Sequence, residues 1–106
     1  MRIIDVLRGS NINSGLDLWR KTPGAVLLDV RTVEEYGQGH IPGSISIPLS
    51  ELSRIPEYVS KTDTPLFVYC LSGARSSQAV QTLHSIWYSA VKSIGDISSY
   101  REKVEV

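Results

Sequence analysis

The chain carries one cysteine, one methionine and one phenylalanine among 106 residues. A single cysteine excludes an internal disulfide and leaves a cysteine-based zinc cluster without ligands. Charge of either sign is not in excess: eleven basic side chains balance eleven acidic ones. That balance argues against broad nucleic-acid or membrane surfaces, which both call for a basic excess. Long apolar runs are missing too. No stretch approaches the roughly 20 residues needed to span a bilayer. The opening "MRIIDVLRGS" is broken by Asp5 and Arg8 and is too short for a secretion signal. These absences predict a soluble, cytoplasmic protein with a reduced thiol, no metal, no nucleic-acid partner and no membrane partner.

What is present is an ordinary globular composition. A hydrophobic content of 42% and this length suit one small domain over residues 1–106, built on one core. No repeat or low-complexity tract interrupts it. "IIDVL" at 3–7 fits a short edge strand. "NINSGLDLWRKTPG" reads as a helix, with Asn13 or Ser14 at its start, Leu16 and Trp19 facing inward, and Pro23-Gly24 as its stop. "AVLLDV" and "TPLFVYC" are near-continuous apolar runs of strand length, the pattern of strands covered on both faces. Between them, Thr32 caps a short turn through Tyr36, "ISIP" is a short strand, and "LSELSRIPEYV" reads as a helix from Ser50 broken at Pro56. From Ser76 to Trp87, apolar residues recur on one helical face. "VKSI" is a further strand, and "DISSYREKV" a closing helix capped by Asp96. Strands alternating with helices predict an α/β fold with a mainly parallel central sheet flanked by helices.

The lone thiol, Cys70, sits where the second apolar strand ends and a helix is about to begin. In open α/β sheets that is where ligands bind. The residues that follow are Leu71, Ser72, Gly73, Ala74, Arg75 and Ser76. Gly73 lets the backbone curl, and a curled loop can turn its N–H groups inward as an anion nest. The helix start adds unpaired N–H groups, and Arg75 adds a cation. Such surroundings favour a nucleophilic thiolate without a neighbouring base. Taken alone, a lone cysteine is more often a small buried hydrophobe; the combined pattern C-x-x-G-x-R-S between strand and helix points to an active thiol.

Two segments resemble the rhodanese-like family of sulfurtransferase domains. "CLSGARS" is similar to the family's active-site loop, six residues from Cys70 through Arg75. "LLDVRTVEEYGQGHIPGSISIP", residues 27–48, is similar to the family signature D-V-R-x-x-x-E-[YF]-x-x-G-H-I-P-G-A, with Ser44 in place of the final alanine. The resemblance implies that Cys70 takes a sulfur atom from a small anionic donor such as thiosulfate, or from a protein persulfide, and passes it to a thiol acceptor. No bound cofactor is implied. Leu71 to Ser76 would hold the substrate, while Asp29 and Arg31 would play a supporting role. Four residues separate Cys70 from Arg75; related phosphatases and arsenate reductases have five, in a wider cradle, so sulfur is favoured over phosphate. A non-catalytic docking module on the same fold is the alternative. The family often has a glycine where Trp87 stands, and a second glycine where Asp96 stands.

Other groups near the proposed site read as structural. Asp29 fixes loops, Glu35 is a partner for Arg31, and His40 packs within its glycine-flanked loop. Arg75 either contacts an anion or braces the loop against an acid. His84 is peripheral, and Trp19, Trp87 and the tyrosines are core or partly buried residues.

Overall fold

In Leu66–Cys70 every side chain is apolar or aromatic, and all five residues are buried. A strand covered on both faces belongs inside a sheet with layers on each side. The computed structural model of the chain, which describes residues 12–71 and 74–106, has that architecture. The strand expected at 3–7 lies outside the described residues.

Strand β3 (Leu66–Cys70) pairs with β1 (Val26–Asp29) on one side and β4 (Val91–Asp96) on the other, and β2 (Ser44–Ser46) pairs with β1. The order is β2-β1-β3-β4 and every one of these pairings is parallel, as the alternation of strands and helices predicts. Among the described residues, three α-helices accompany the sheet: α1 (Ile12–Lys21), α2 (Val33–Gln38) and α3 (Ala74–Ser85). Among the described residues, no helix is long and apolar enough to cross a membrane.

The period-two alternation of strands splits the core in two. Leu28, Val30, Leu66, Val68 and Cys70 pack on one face with Leu52, Ile55, Ala79 and Leu83. Leu27, Phe67, Tyr69 and Ile94 pack on the other with Ile12, Leu16 and Ile41. Each fully buried aliphatic side chain contributes on the order of 1.5–3 kcal/mol. On the second face α1 comes very close to β4. A Cβ at Gly15 would lie 2.4 Å from Ile94 Cβ, so only glycine permits the approach.

Three expectations are corrected. The segment expected as a Pro-broken α-helix is a 3₁₀ segment, Leu49–Glu57, kinked at Glu51, with Pro56 inside it. Tight turns of this kind tolerate a residue without an N–H better than a continuous α-helix does. The expected closing helix is one 3₁₀ turn, Ile97–Ser99, capped by Asp96. Ile97 and Tyr100 pack on the α1 face. The chain then runs on to pair Glu105 with His40, each N–H donating to the other's carbonyl at 2.8 Å. Those bonds satisfy backbone groups that a helix would otherwise have used.

Trp87 is not in the core. It is 82% exposed, with φ at 78°. The N–H of Tyr88 donates to Leu83 O at 3.0 Å and that of Trp87 to His84 O at 3.1 Å. These paired bonds close α3 through one left-handed residue, a position where glycine is usual because a Cβ crowds the following carbonyl. Trp87→Gly is therefore expected to stabilise the fold by about 1 kcal/mol, raising Tm by about 4–8 °C. Urea unfolding checks this, and a lower midpoint would show that the indole packs more than its exposure implies.

Candidate active site

Strands β1 and β3 are neighbours, with β2 beyond one and β4 beyond the other. Chain order reverses between them, and the crevice at the carboxyl ends of such a strand pair is the usual ligand site of an open α/β sheet. Asp29 ends β1 and Cys70 ends β3. Alternation sends them to opposite faces. Cys70 lies with Leu66 and Val68 on the α3 side, whereas Asp29 follows Leu27 to the α1 side.

On the α3 side, the backbone N–H of Ser76 donates to Cys70 Sγ at 3.2 Å. Negative charge on the sulfur strengthens such a contact. Ser76 is itself buried, with its Oγ 2.8 Å from Ser93 Oγ on β4. That second bond pins the first turn of α3 to the sheet and so aims the amide. Leu71 is partly exposed, Ala74 opens α3 on the surface, and Ser72 and Gly73 lie outside the described residues.

Arg75 is braced by an acid. Its Nη1 and Nη2 donate to the two Glu35 carboxylate oxygens at 2.8 and 3.1 Å. Glu35 is in turn fixed at the start of α2. It accepts from the Thr32 N–H at 2.9 Å, and its own N–H donates to Thr32 Oγ1 at 3.2 Å, a reciprocal capping box. The Arg75 guanidinium, and then the Thr32 amide, hold the Glu35 carboxyl at about 2 against an ordinary 4.5, with burial opposing. Hydrogen bonds to Glu35 likewise raise Arg75 above its ordinary value.

The expected Glu35–Arg31 pair is thus replaced by two others. Arg31 lies two residues beyond Asp29 in extended chain, on the same side, and pairs with it instead. Arg31 Nη2 donates to Asp29 Oδ2 at 2.6 Å, Nε donates to both oxygens at 3.0 Å, and the Arg31 N–H donates to Oδ1 at 2.9 Å. Burial disfavours the Arg31 charge, but the bonds and attraction from Asp29 outweigh it and hold Arg31 above its ordinary value. Asp29 is spent on this pair, on the face away from the thiol, which leaves it placed as a brace. His40 stacks on Tyr36 with ring centroids 3.7 Å apart, and its Nδ1 donates to the Tyr36 carbonyl at 2.9 Å. Both contacts are those of a packing residue.

Beside Arg75 opens a cleft of about 310 Å³, lined by Val30, Thr32, Pro48, Leu49, Ser50 and Arg75. The cleft, the Ser76–Ser93 contact and the Glu35–Arg75 pair were all missed from the sequence. Only the last left a trace there, the Thr32-x-x-Glu35 spacing of a capping box, which marks Glu35 as held at a helix start.

The rhodanese-like domain model matches residues 14–102. The chain belongs to the rhodanese-like domain family. It is 39% identical over 82 residues to the uncharacterized protein YqhL of Bacillus subtilis, covering 77% of this chain and 60% of YqhL. With the thiosulfate sulfurtransferase PspE of Escherichia coli it shares 38% identity over 71 residues, 66% of this chain and 68% of PspE. A solved structure described as a rhodanese with anions from E. coli superposes with a TM-score of 0.70 at 34% identity, covering 77% of this chain and 99% of that one.

The Glu35 carboxyl titrates lower in the folded chain than its ordinary value. Its bonds therefore stabilise the fold above about 4.5, and that contribution drains away as the pH falls towards about 2. Glu35→Gln keeps a capping side chain but removes the charge. It is expected to cost about 1 kcal/mol at neutral pH, with the difference from wild type vanishing in acid. Urea unfolding of both proteins between about pH 5 and pH 2 checks the sign.

Proposed function

We propose that this rhodanese-like domain, taken as a single domain over the chain, is a cytoplasmic sulfurtransferase in which Cys70 is the nucleophile. The observation that carries the reading is the Ser76 N–H directed at Cys70 Sγ at 3.2 Å, at the carboxyl end of β3. The Cys70 thiolate attacks the outer sulfur of thiosulfate or of a persulfide donor. A new S–S bond forms to Cys70, the donor's own S–S bond breaks, and sulfite or a thiolate leaves with the electron pair. An acceptor thiolate then attacks the outer sulfur of the Cys70 persulfide, takes it, and regenerates the Cys70 thiolate. No net oxidant or reductant is consumed, and no metal or organic cofactor takes part. The Ser76 amide, with Leu71 to Arg75 of the loop, holds the charge that moves between the two sulfur atoms. Asp29 and Arg31 support the loop from the opposite face.

The similarity to PspE, named a thiosulfate sulfurtransferase, supports the donor class. Loop length favours sulfur over phosphate, because four residues between Cys70 and Arg75 leave a small cradle. One observation favours a second reading. Cys70 has no exposed surface, which also suits a docking module whose thiol is merely core.

Intact mass after incubation with thiosulfate separates the two. The expected result is the added mass of one sulfur atom on the wild-type chain and none on Cys70→Ser, which keeps a cooperative unfolding transition. An unmodified wild-type chain would favour the docking module, and sulfur loading of Cys70→Ser would overturn the mechanism.

A further inference from the structure

The cleft beside Arg75 differs in character from the loop. Val30, Pro48 and Leu49 supply apolar walls, and Thr32 and Ser50 carry no charge. Val30 belongs to the same packed cluster as Cys70, and Leu49 packs against it. The backbone connects them as well. Leu49 N–H donates to Val30 O at 3.1 Å, and Val30 N–H donates to Tyr69 O at 3.2 Å, one residue before the thiol. Arg75, the cation of the cleft wall, has two of its donors occupied by Glu35. The intervening loop residues, Leu71 to Ala74, bring no charge. The volume, about 310 Å³, lies at the low end for small-molecule pockets.

We propose that this cleft is the acceptor subsite, that it takes a small uncharged alkyl or aryl thiol, and that Glu35 sets the choice by neutralising Arg75. The inference rests on the sulfurtransferase reading and names its acceptor class. The thiolate of the acceptor attacks the outer sulfur of the Cys70 persulfide. One S–S bond forms as the Cys70 S–S bond breaks, so an organic persulfide leaves and the Cys70 thiolate returns. The hydrocarbon body lies against Val30 and Leu49. A second negative charge on the acceptor would leave water for a wall of Val30, Pro48 and Leu49, beside an Arg75 whose charge Glu35 already pairs.

The test first loads Cys70 from thiosulfate, confirmed by mass, and then compares acceptors by kcat/KM. In the series ethanethiol, propanethiol and butanethiol, each methylene is expected to raise kcat/KM about fourfold, the effect of one buried CH2 group. Mercaptobutanoate, matched to butanethiol in chain length, is expected to be about tenfold poorer. Glu35→Gln frees the Arg75 charge while keeping the cap, and should bring that ratio to unity or reverse it. A flat chain-length series, or a wild-type preference for the carboxylate, would overturn the inference while leaving sulfur transfer intact. An unchanged ratio in Glu35→Gln would remove Glu35 from it. Failure of Cys70 to load would end the transfer reading and this inference together. The wild-type series decides the acceptor class even if the variant does not fold.

Discussion

A guanidinium with 7% of its surface exposed beside a carboxylate with none is tolerable only if their charges and donors meet. Asp29 and Arg31 satisfy that condition and, in doing so, set the carboxyl end of the sheet. Arg31 Nη2 also reaches the Gly39 carbonyl at 2.8 Å, which holds the loop after α2. The guanidinium lies 5.7 Å from the centroid of the Tyr69 ring. The Tyr69 hydroxyl accepts from the Ile41 N–H at 3.1 Å and donates to Ser44 Oγ at 3.2 Å. One buried pair thereby joins β1, the loop leading to β2, and β3. Removing either partner would strand the other, at a cost of about 3–5 kcal/mol.

The same network governs the thiol without touching it. Tyr69 and Cys70 are adjacent, and a strand sends adjacent side chains to opposite faces. Locking Tyr69 on the α1 face therefore fixes the direction in which Cys70 points on the α3 face. The remaining freedom lies in the helix that supplies the amide, and Ser76 removes it through the contact with Ser93 on β4. The direction of the sulfur is set from the opposite face of the sheet, whereas its donor is held on the sulfur's own face by Ser93. This division also explains why Asp29 is a poor acid–base candidate despite ending the neighbouring strand.

Much of this was legible in the residues. Continuous apolar runs in "VLLD" and "LFVYC" report strands covered on both faces, since a half-solvated strand would alternate. The Cys70 to Ser76 pattern reports a strand, a bend and a helix start, and the glycine-proline stretch after Tyr36 reports the loop that Arg31 ties down. Ion-pair partners were not legible. Nothing local distinguishes Arg31 from Arg75 as the partner of Glu35, because the choice is made by a contact spanning 40 positions in the chain. The C-terminal segment misled for a different reason. Ile97, Tyr100 and Val104 have helical spacing, yet Val104 is taken up against Gly39, where a Cβ would come within 3.0 Å of its Cγ2. Tertiary contact overrides a short periodic signal of that kind. Trp87 was misread because aromatic character suggests burial, while its place in the helix-closing bonds depends on backbone angles that composition does not reveal.

The distribution of charge leads to a last step. Both arginines at this end of the sheet are matched by acids, Arg31 by Asp29 and Arg75 by Glu35. Among the described residues near the sulfur, the hydrogen-bond donor aimed at it is a backbone amide, while Arg75, paired with Glu35, interacts with Cys70 electrostatically. A fixed amide acts at hydrogen-bond range, and a sulfur atom moving between two thiolates shifts a single charge by about one bond length. A mobile, unmatched cation would instead draw in bulk anions and lose its effect as salt rises. Paired arginines with an aimed amide give the sulfur, among the described residues, a neutral donor at hydrogen-bond range. Under the proposed sulfur exchange, such a donor acts on the atom whose charge changes.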